Sequence, residues 1–245
     1  MGLNKPKEKN HLMTVKNLTD KSADLYIYGE IVDNTDWKWD ETDVMPDDVL
    51  NALNQVEGLS NLNIYINSPG GSVFSGLAIY NMLKRNRAHK TVYVDGLAAS
   101  MASVIALVGN KIIIPSNAFL MIHKPWTFAM GNANDFRKIA DDLEDIESGV
   151  MNVYKENLKE GVDIETIQQM VDDETWLNGE EAAKYFNVEI SEASNVAACA
   201  SEYLELFNKT PKKLVQPKQQ KQNIEPNVEP FDKIKFQNEL DLLEL

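Results

Sequence analysis

The spacing of apolar and polar positions changes repeatedly along this chain, and each change predicts an element. Residues 26–31 alternate as a half-buried strand does, and Leu62-Asn63-Ile64-Tyr65-Ile66-Asn67 repeats the pattern before Ser68-Pro69-Gly70-Gly71 ends it. Between these runs Asp47 and Asp48 stand where helix caps stand, so a short helix is expected through Val56. From 73 to 87, Val73, Leu77, Ile79, Tyr80 and Leu83 keep the spacing of one helix face. Residues 91–94 read as a third strand, followed by a small-residue helix running from Ser100 to Gly109 and by strands at 111–114 and 119–122. Strands and helices alternating at these lengths predict an α/β fold with a largely parallel sheet.

Further on, Asn134 can cap a long helix whose stripe comprises Phe136, Ile139, Ala140, Leu143, Ile146, Val150, Val153 and Leu158, with Gly161 as its terminator. Little chain remains to cover that stripe, so the helix is expected to project and pack on another subunit. A short helix at 163–170, an extended pair Trp176-Leu177 and a helix at 179–185 follow. Residues 1–22 read as an arm, 23–205 as the folded domain, and 206–245 as a linker and tail. Within that last part, 209–222 carries five Lys, four Gln and two Pro with no acid, a composition that cannot form a core. The final stretch turns acidic and amphipathic through Phe236, Leu240 and Leu243.

At 245 residues the chain can bury a full core. Its formal net charge of −14 argues against nucleic acid as a partner, because phosphate binding needs a basic surface. One cysteine, Cys199, excludes an internal disulfide, fits a reducing compartment and reads as a small buried apolar residue. No secretory h-region follows the Lys-rich start, and the best apolar run, 96–108, is too short to span a bilayer. These features predict a soluble cytoplasmic protein.

The chemistry centres on Gly96-Leu97-Ala98-Ala99-Ser100-Met101-Ala102-Ser103, a strand feeding a tight turn that opens a helix. Ser100 is presented there as a candidate nucleophile, which needs a base to act. Of the three histidines, His11 lies in the arm and His89 in a charged turn, which leaves His123 as the candidate base. Asp172, Asp173 and Glu174 are candidates for an acid orienting its imidazole, and residue chemistry does not choose among them. The glycine pair at 70–71 permits close backbone approach, so Gly71 and Met101 can supply the two N–H donors of an oxyanion hole. Three scattered histidines and one cysteine make a zinc site improbable, and no cofactor is expected.

Residues about 24–200 resemble the Clp-protease proteolytic subunit family, and within it the phage-type head-maturation (prohead) proteases. The resemblance rests on Ile66-Asn67-Ser68-Pro69-Gly70-Gly71-Ser72-Val73, the Ser100 segment, Met121-Ile122-His123-Lys124-Pro125 and Trp176-Leu177-Asn178-Gly179-Glu180-Glu181-Ala182-Ala183. It implies a ClpP/crotonase-like ββα spiral fold with a long handle helix, ring-shaped homo-oligomers and a Ser-His-acid peptidase needing no metal or ATP chemistry of its own. Carried over by position, Ser100 falls on the nucleophile, His123 on the base, and Gly71 and Met101 on the oxyanion donors. The family's acid column falls on Glu174 rather than an aspartate, with Asp173 as the neighbour that could serve instead.

Trp126-Thr127-Phe128-Ala129-Met130-Gly131 replaces the family's usual Gly-rich stretch, and the linker and tail are additions. Both point toward capsid, scaffold or portal proteins as substrates during prohead maturation. The alternatives are a cellular subunit fed by an ATPase, a non-catalytic ring-forming assembly protein, and an acyl-CoA hydratase or isomerase of the same broader fold. No nucleic acid or membrane partner is expected.

Overall fold

A computed structural model describes residues 15–35, 38, 40–193, 204 and 206–211. The chain divides into units 1–215 and 216–245, and the second lies wholly outside the described residues, as do His11, Cys199 and the acidic tail. Strand β1 (Ser22–Ile31), β2 (Asn61–Gly71) and β3 (His89–Ala99) run parallel side by side. Their crossovers contain helix α1 (Pro46–Gln55) and α2 (Val73–Arg85). Leu25, Ile27, Leu62, Ile64, Ile66, Val92 and Val94 point to the buried face. The alternate positions Tyr26, Tyr65 and Tyr93 pair in register and stack at 4.8 and 5.0 Å on the other face.

The third strand then divides its outer edge. Its first half, Thr91–Tyr93 in register, pairs with β4 (Lys111–Pro115), while Leu97 to Ala99 pair with β5 (Phe119–Ile122). Helix α3 (Met101–Ala106) starts directly after β3. The long helix α4 (Ala133–Glu156) and α5 (Ile164–Asp172) lead to β6 (Thr175–Asn178), which returns antiparallel along β5. Helix α6 (Gly179–Tyr185) and β7 (Glu189–Ser191), paired with β4, complete the sheet. The α/β spiral expected from the sequence is therefore present.

Several boundaries differ from the sequence reading for identifiable reasons. Met45, not Asp47 or Asp48, caps α1; Pro46 starts the helix, and the Asp48 carboxylate accepts the Met45 N–H at 2.9 Å. Asn132, not Asn134, caps α4: its Oδ1 accepts from Asn134 and Asp135, and Asp135 accepts the Asn132 N–H in return at 2.8 Å. That helix ends at Glu156, before Gly161. The small-residue helix stops at Ala106, and β7 is too short to show an alternation. The linker expected from residue 206 does not begin there, because Leu204 and Phe207 are buried with Leu97, Ala99 and Met121.

Helix α4 is buried only toward its end, at Val150, Met151, Val153 and Tyr154, and Phe136 near its start is 50 % exposed. The Tyr154 ring lies inside the core, and its hydroxyl hydrogen-bonds Ser103 Oγ at 2.8 Å. Ser103 in turn donates to the Ser100 carbonyl at 2.6 Å, so the base of the long helix is tied to the turn at Ser100. Replacing Tyr154 by Phe is expected to lower stability by about 1 kcal/mol, the net worth of one buried hydrogen bond. Urea denaturation measures it; an unchanged midpoint would show that the hydroxyl contributes nothing.

Candidate active site

Ser100 joins β3 to α3 with φ +53°, a region that few residues other than glycine adopt. The conformation is held on both sides. The Ser100 N–H donates to the Met121 carbonyl at 2.9 Å, and its own carbonyl accepts from both the N–H and the hydroxyl of Ser103. The end of β2 presses on this turn. A Cβ at Gly70 (φ +90°) would stand 2.6 Å from the Ala99 oxygen and 2.7 Å from Ser100 Cβ, and one at Gly71 would run into the Ile31 backbone. Only glycine fits at both positions. The Met101 N–H is the first of α3 and so has no acceptor within that helix.

His123 follows β5 by one residue. Because Ala99 and Met121 are register partners, the residues just beyond them converge, and His123 Nε2 sits 2.7 Å from Ser100 Oγ. With the proton on Nδ1, Nε2 accepts the serine hydroxyl. Burial of most of the ring pushes the imidazole pKa down to about 4, and the Glu174 carboxylate pulls against that shift. At neutral pH the ring is a free base.

The acidic triplet separates. Asp172 pairs with Lys124 at 2.9 Å, and the exposed Asp173 accepts from Gln169 Nε2 at 3.0 Å. Glu174 is 8 % exposed and has φ +50°. Since Ile122 pairs with Thr175 across the antiparallel β5/β6 ladder, Glu174 stands opposite His123. Its carboxylate is nevertheless taken. Oε2 accepts from the Asn208 N–H at 2.8 Å and Asn208 Nδ2 at 3.1 Å, and Oε1 from the Lys209 N–H at 2.5 Å and Trp176 Nε1 at 3.4 Å. Burial pushes the carboxyl pKa up, but these donors together outweigh it and hold the group below its ordinary value. Among the described residues Glu174 makes no hydrogen bond to His123. The structure thus joins Ser100 to His123, brings Glu174 alongside, and leaves Asp173 facing solvent.

Sequence reasoning missed Phe207, Asn208, Lys209 and Trp176 as residues of this site. The signal was the apolar Leu204, Leu206 and Phe207 just before the Lys-rich stretch, masked by the composition that follows. Leu206, Phe207 and Asn208 help wall a cleft of about 370 Å³, with His123, Trp126, Phe128 and Glu174 also in its lining.

The depressed His123 pKa carries a stability consequence. Between the unfolded value of 6.5 and the folded value of about 4, the unfolded chain binds the extra proton. Stability contributed by the neutral ring is full above pH 6.5 and is lost as pH falls toward 4. An NMR titration of the His123 ring is expected to show its midpoint near 4, and His123→Asn is expected to flatten the pH dependence of stability across that window. A midpoint at 6.5 or above would contradict the burial of the ring.

A family model, Clp protease, matches residues 8–188 of this chain. The chain is 31 % identical over 136 residues to the ATP-dependent Clp protease proteolytic subunit of Bacteroides fragilis (strain NCTC 9343), covering 54 % of this chain and 64 % of that protein. The protein of the same name from Bacteroides fragilis strain YCH46 is 31 % identical over 136 residues, 60 % of its length. That of Ligilactobacillus salivarius is 33 % identical over 149 residues, 57 % of this chain and 74 % of the relative. The matched part thus spans about three fifths of the length of the two Bacteroides relatives. With the family model covering most of the described fold, the chain belongs to the Clp protease family.

Proposed function

We propose that this chain is a serine endopeptidase acting as the proteolytic subunit of a homo-oligomeric protease. One observation carries the reading: Ser100 Oγ, on a strained turn, lies 2.7 Å from the Nε2 of a neutral imidazole. In the proposed reaction His123 Nε2 takes the Ser100 proton as Oγ bonds to the peptide carbonyl carbon. The carbonyl π electrons move to oxygen, which the Gly71 and Met101 N–H groups receive. The imidazolium then protonates the leaving amine as the C–N bond breaks. Water, deprotonated by the same nitrogen, releases the acyl group and restores the hydroxyl. Glu174 is the carboxylate that would hold the Nδ1 proton, since of the acidic triplet it alone is buried and faces His123 across the ladder.

A hydratase of the same broader fold would need two backbone amides but not a serine–histidine pair, so the Ser100–His123 hydrogen bond favours peptidase chemistry. A purely structural ring would not need the positive φ at Ser100 either. The half-exposed stripe of α4, with Phe136 50 % exposed, supports packing against further copies of the chain. Between the two biological settings, the names of the relatives support a subunit working with an ATP-dependent partner. Prohead maturation, the setting favoured by the sequence alone, rests only on residues 126–131 and the C-terminal composition, and no relative named above supports it. A soluble cytoplasmic setting fits the absence, among the described residues, of a helix long and apolar enough to cross a membrane.

Ser100→Ala is expected to abolish labelling by a fluorophosphonate; retained labelling would remove Ser100 as nucleophile. Glu174→Gln is expected to lower kcat by on the order of tenfold or more, the direction seen when a triad loses its orienting acid. Asp173→Asn is expected to leave kcat within about twofold, as for a solvated surface charge. Inverse effects would reassign the acid. For the setting, tagged protein purified from its native cell is expected to carry an ATPase and to degrade a folded substrate only with ATP. Cleavage of capsid or scaffold protein without ATP would instead restore the prohead reading.

A further inference from the structure

Residues 206–210 lie beyond the stretch that the family model matches, and Leu206, Phe207 and Asn208 line the cleft beside His123 and Glu174. Two anchors hold them. Phe207, 6 % exposed, sets its ring edge-on to the His123 imidazole with centroids 5.0 Å apart and against Trp176 at 5.9 Å. Asn208 and Lys209 together place three donors on the Glu174 carboxylate. Lys209 Nζ also bonds the Asp173 carbonyl, and Thr210 Oγ1 closes back on the Leu204 carbonyl at 2.7 Å.

A carboxylate offers about four acceptor positions, and with Trp176 Nε1 the four donors fill those of Glu174. General-base action at His123 Nε2 needs a proton fixed on Nδ1, which is the work of the acid in such a triad. The β5/β6 register delivers Glu174 to the position opposite His123, and the 206–210 segment then takes its oxygens. The same segment lays Phe207 on the imidazole inside the cleft. Its remaining side chains at Leu206, Asn208 and Lys209 are exposed, so little apolar burial beyond Phe207 resists its departure.

We propose that residues 206–210 are an autoinhibitory strap: they withhold Glu174 from His123 and cover the imidazole, and their release passes Glu174 to His123 Nδ1. The inference rests on the assignment of Ser100, His123 and Glu174 as a catalytic triad. The strap keeps the Ser100–His123 bond intact while it is closed, so the site is poised rather than disassembled.

The test uses the full chain and two variants. Asn208→Asp, on an exposed side chain, replaces a donor by a carboxylate that faces Glu174 Oε2, and Lys209→Pro removes the amide bonded to Oε1. Fluorophosphonate labelling of Ser100 is expected to quicken about tenfold or more in either variant, a fraction of the on the order of 10⁴ that the acid contributes in a triad. A strongly downfield proton resonance from a carboxylate-bound His123 Nδ1, weak or absent in the parent, is expected to appear with it. If Lys209→Pro loses the fold by circular dichroism, Asn208→Asp decides alone. Slower or unchanged labelling at Ser100 in a folded variant, with no new resonance, would overturn the strap and make these residues a support for Glu174. Labelling that survives Ser100→Ala, or is missing from every protein, would overturn the triad itself and the strap with it.

Discussion

The hydrogen bond between Ser100 Oγ and His123 Nε2 depends on how one strand shares its edge. Strand β3 is covered by β4 along its first half only, which leaves Leu97 to Ala99 free to pair with β5. That second pairing carries Met121 to Ala99 and sets the next residues of both strands at one place. The turn after β3 then has to bend sharply while Gly70 presses from the neighbouring strand, and small residues at 98, 99 and 102 leave room for it. A side chain at 70 would meet the Ala99 carbonyl oxygen, Ser100 Cβ and the Met101 amide nitrogen directly. The geometry at Ser100 is thus a product of sheet register and missing side chains rather than of a local motif alone.

Much of this was legible in the sequence. Period-2 runs marked β1 and β2, a short apolar run marked β3, and helical spacing marked α2 and α4, because each buries one face against a single core. The Ser100 turn and His123 were legible because each stands at the end of a β-rich apolar run, where the chain must turn. What stayed hidden has physical causes. Helix caps at Met45 and Asn132 depended on which backbone groups were left unpaired, and a three-residue edge strand carries no period. The choice among Asp172, Asp173 and Glu174 was invisible without the antiparallel register that buries the third and leaves the second in solvent.

Residues 204–211 show a different limit. Composition marks the stretch after Asn208 as unable to build a core, and it draws attention away from Leu204 and Phe207 just before it. Two apolar side chains, the amides of Asn208 and Lys209 and the Asn208 side chain dock that segment on a buried carboxylate in need of donors. Burial alone would lift both Glu174 and His123 toward their neutral forms. The donors from 208 and 209 keep the carboxylate charged, while burial holds the imidazole low against the pull of Glu174. Electrostatics and packing therefore describe one state of the site, with a neutral imidazole on Ser100 and the Glu174 carboxylate engaged by residues 208 and 209.

The central claim, that Ser100 and His123 form a nucleophile and base served by the Gly71 and Met101 amides, is tested most directly by a crystal structure of the full chain after reaction with a fluorophosphonate. The account predicts a covalent bond from phosphorus to Ser100 Oγ, with the phosphoryl oxygen accepting from both amides and His123 Nε2 still beside Oγ. Modification of any other residue, or a phosphoryl oxygen turned to solvent away from those amides, would contradict it.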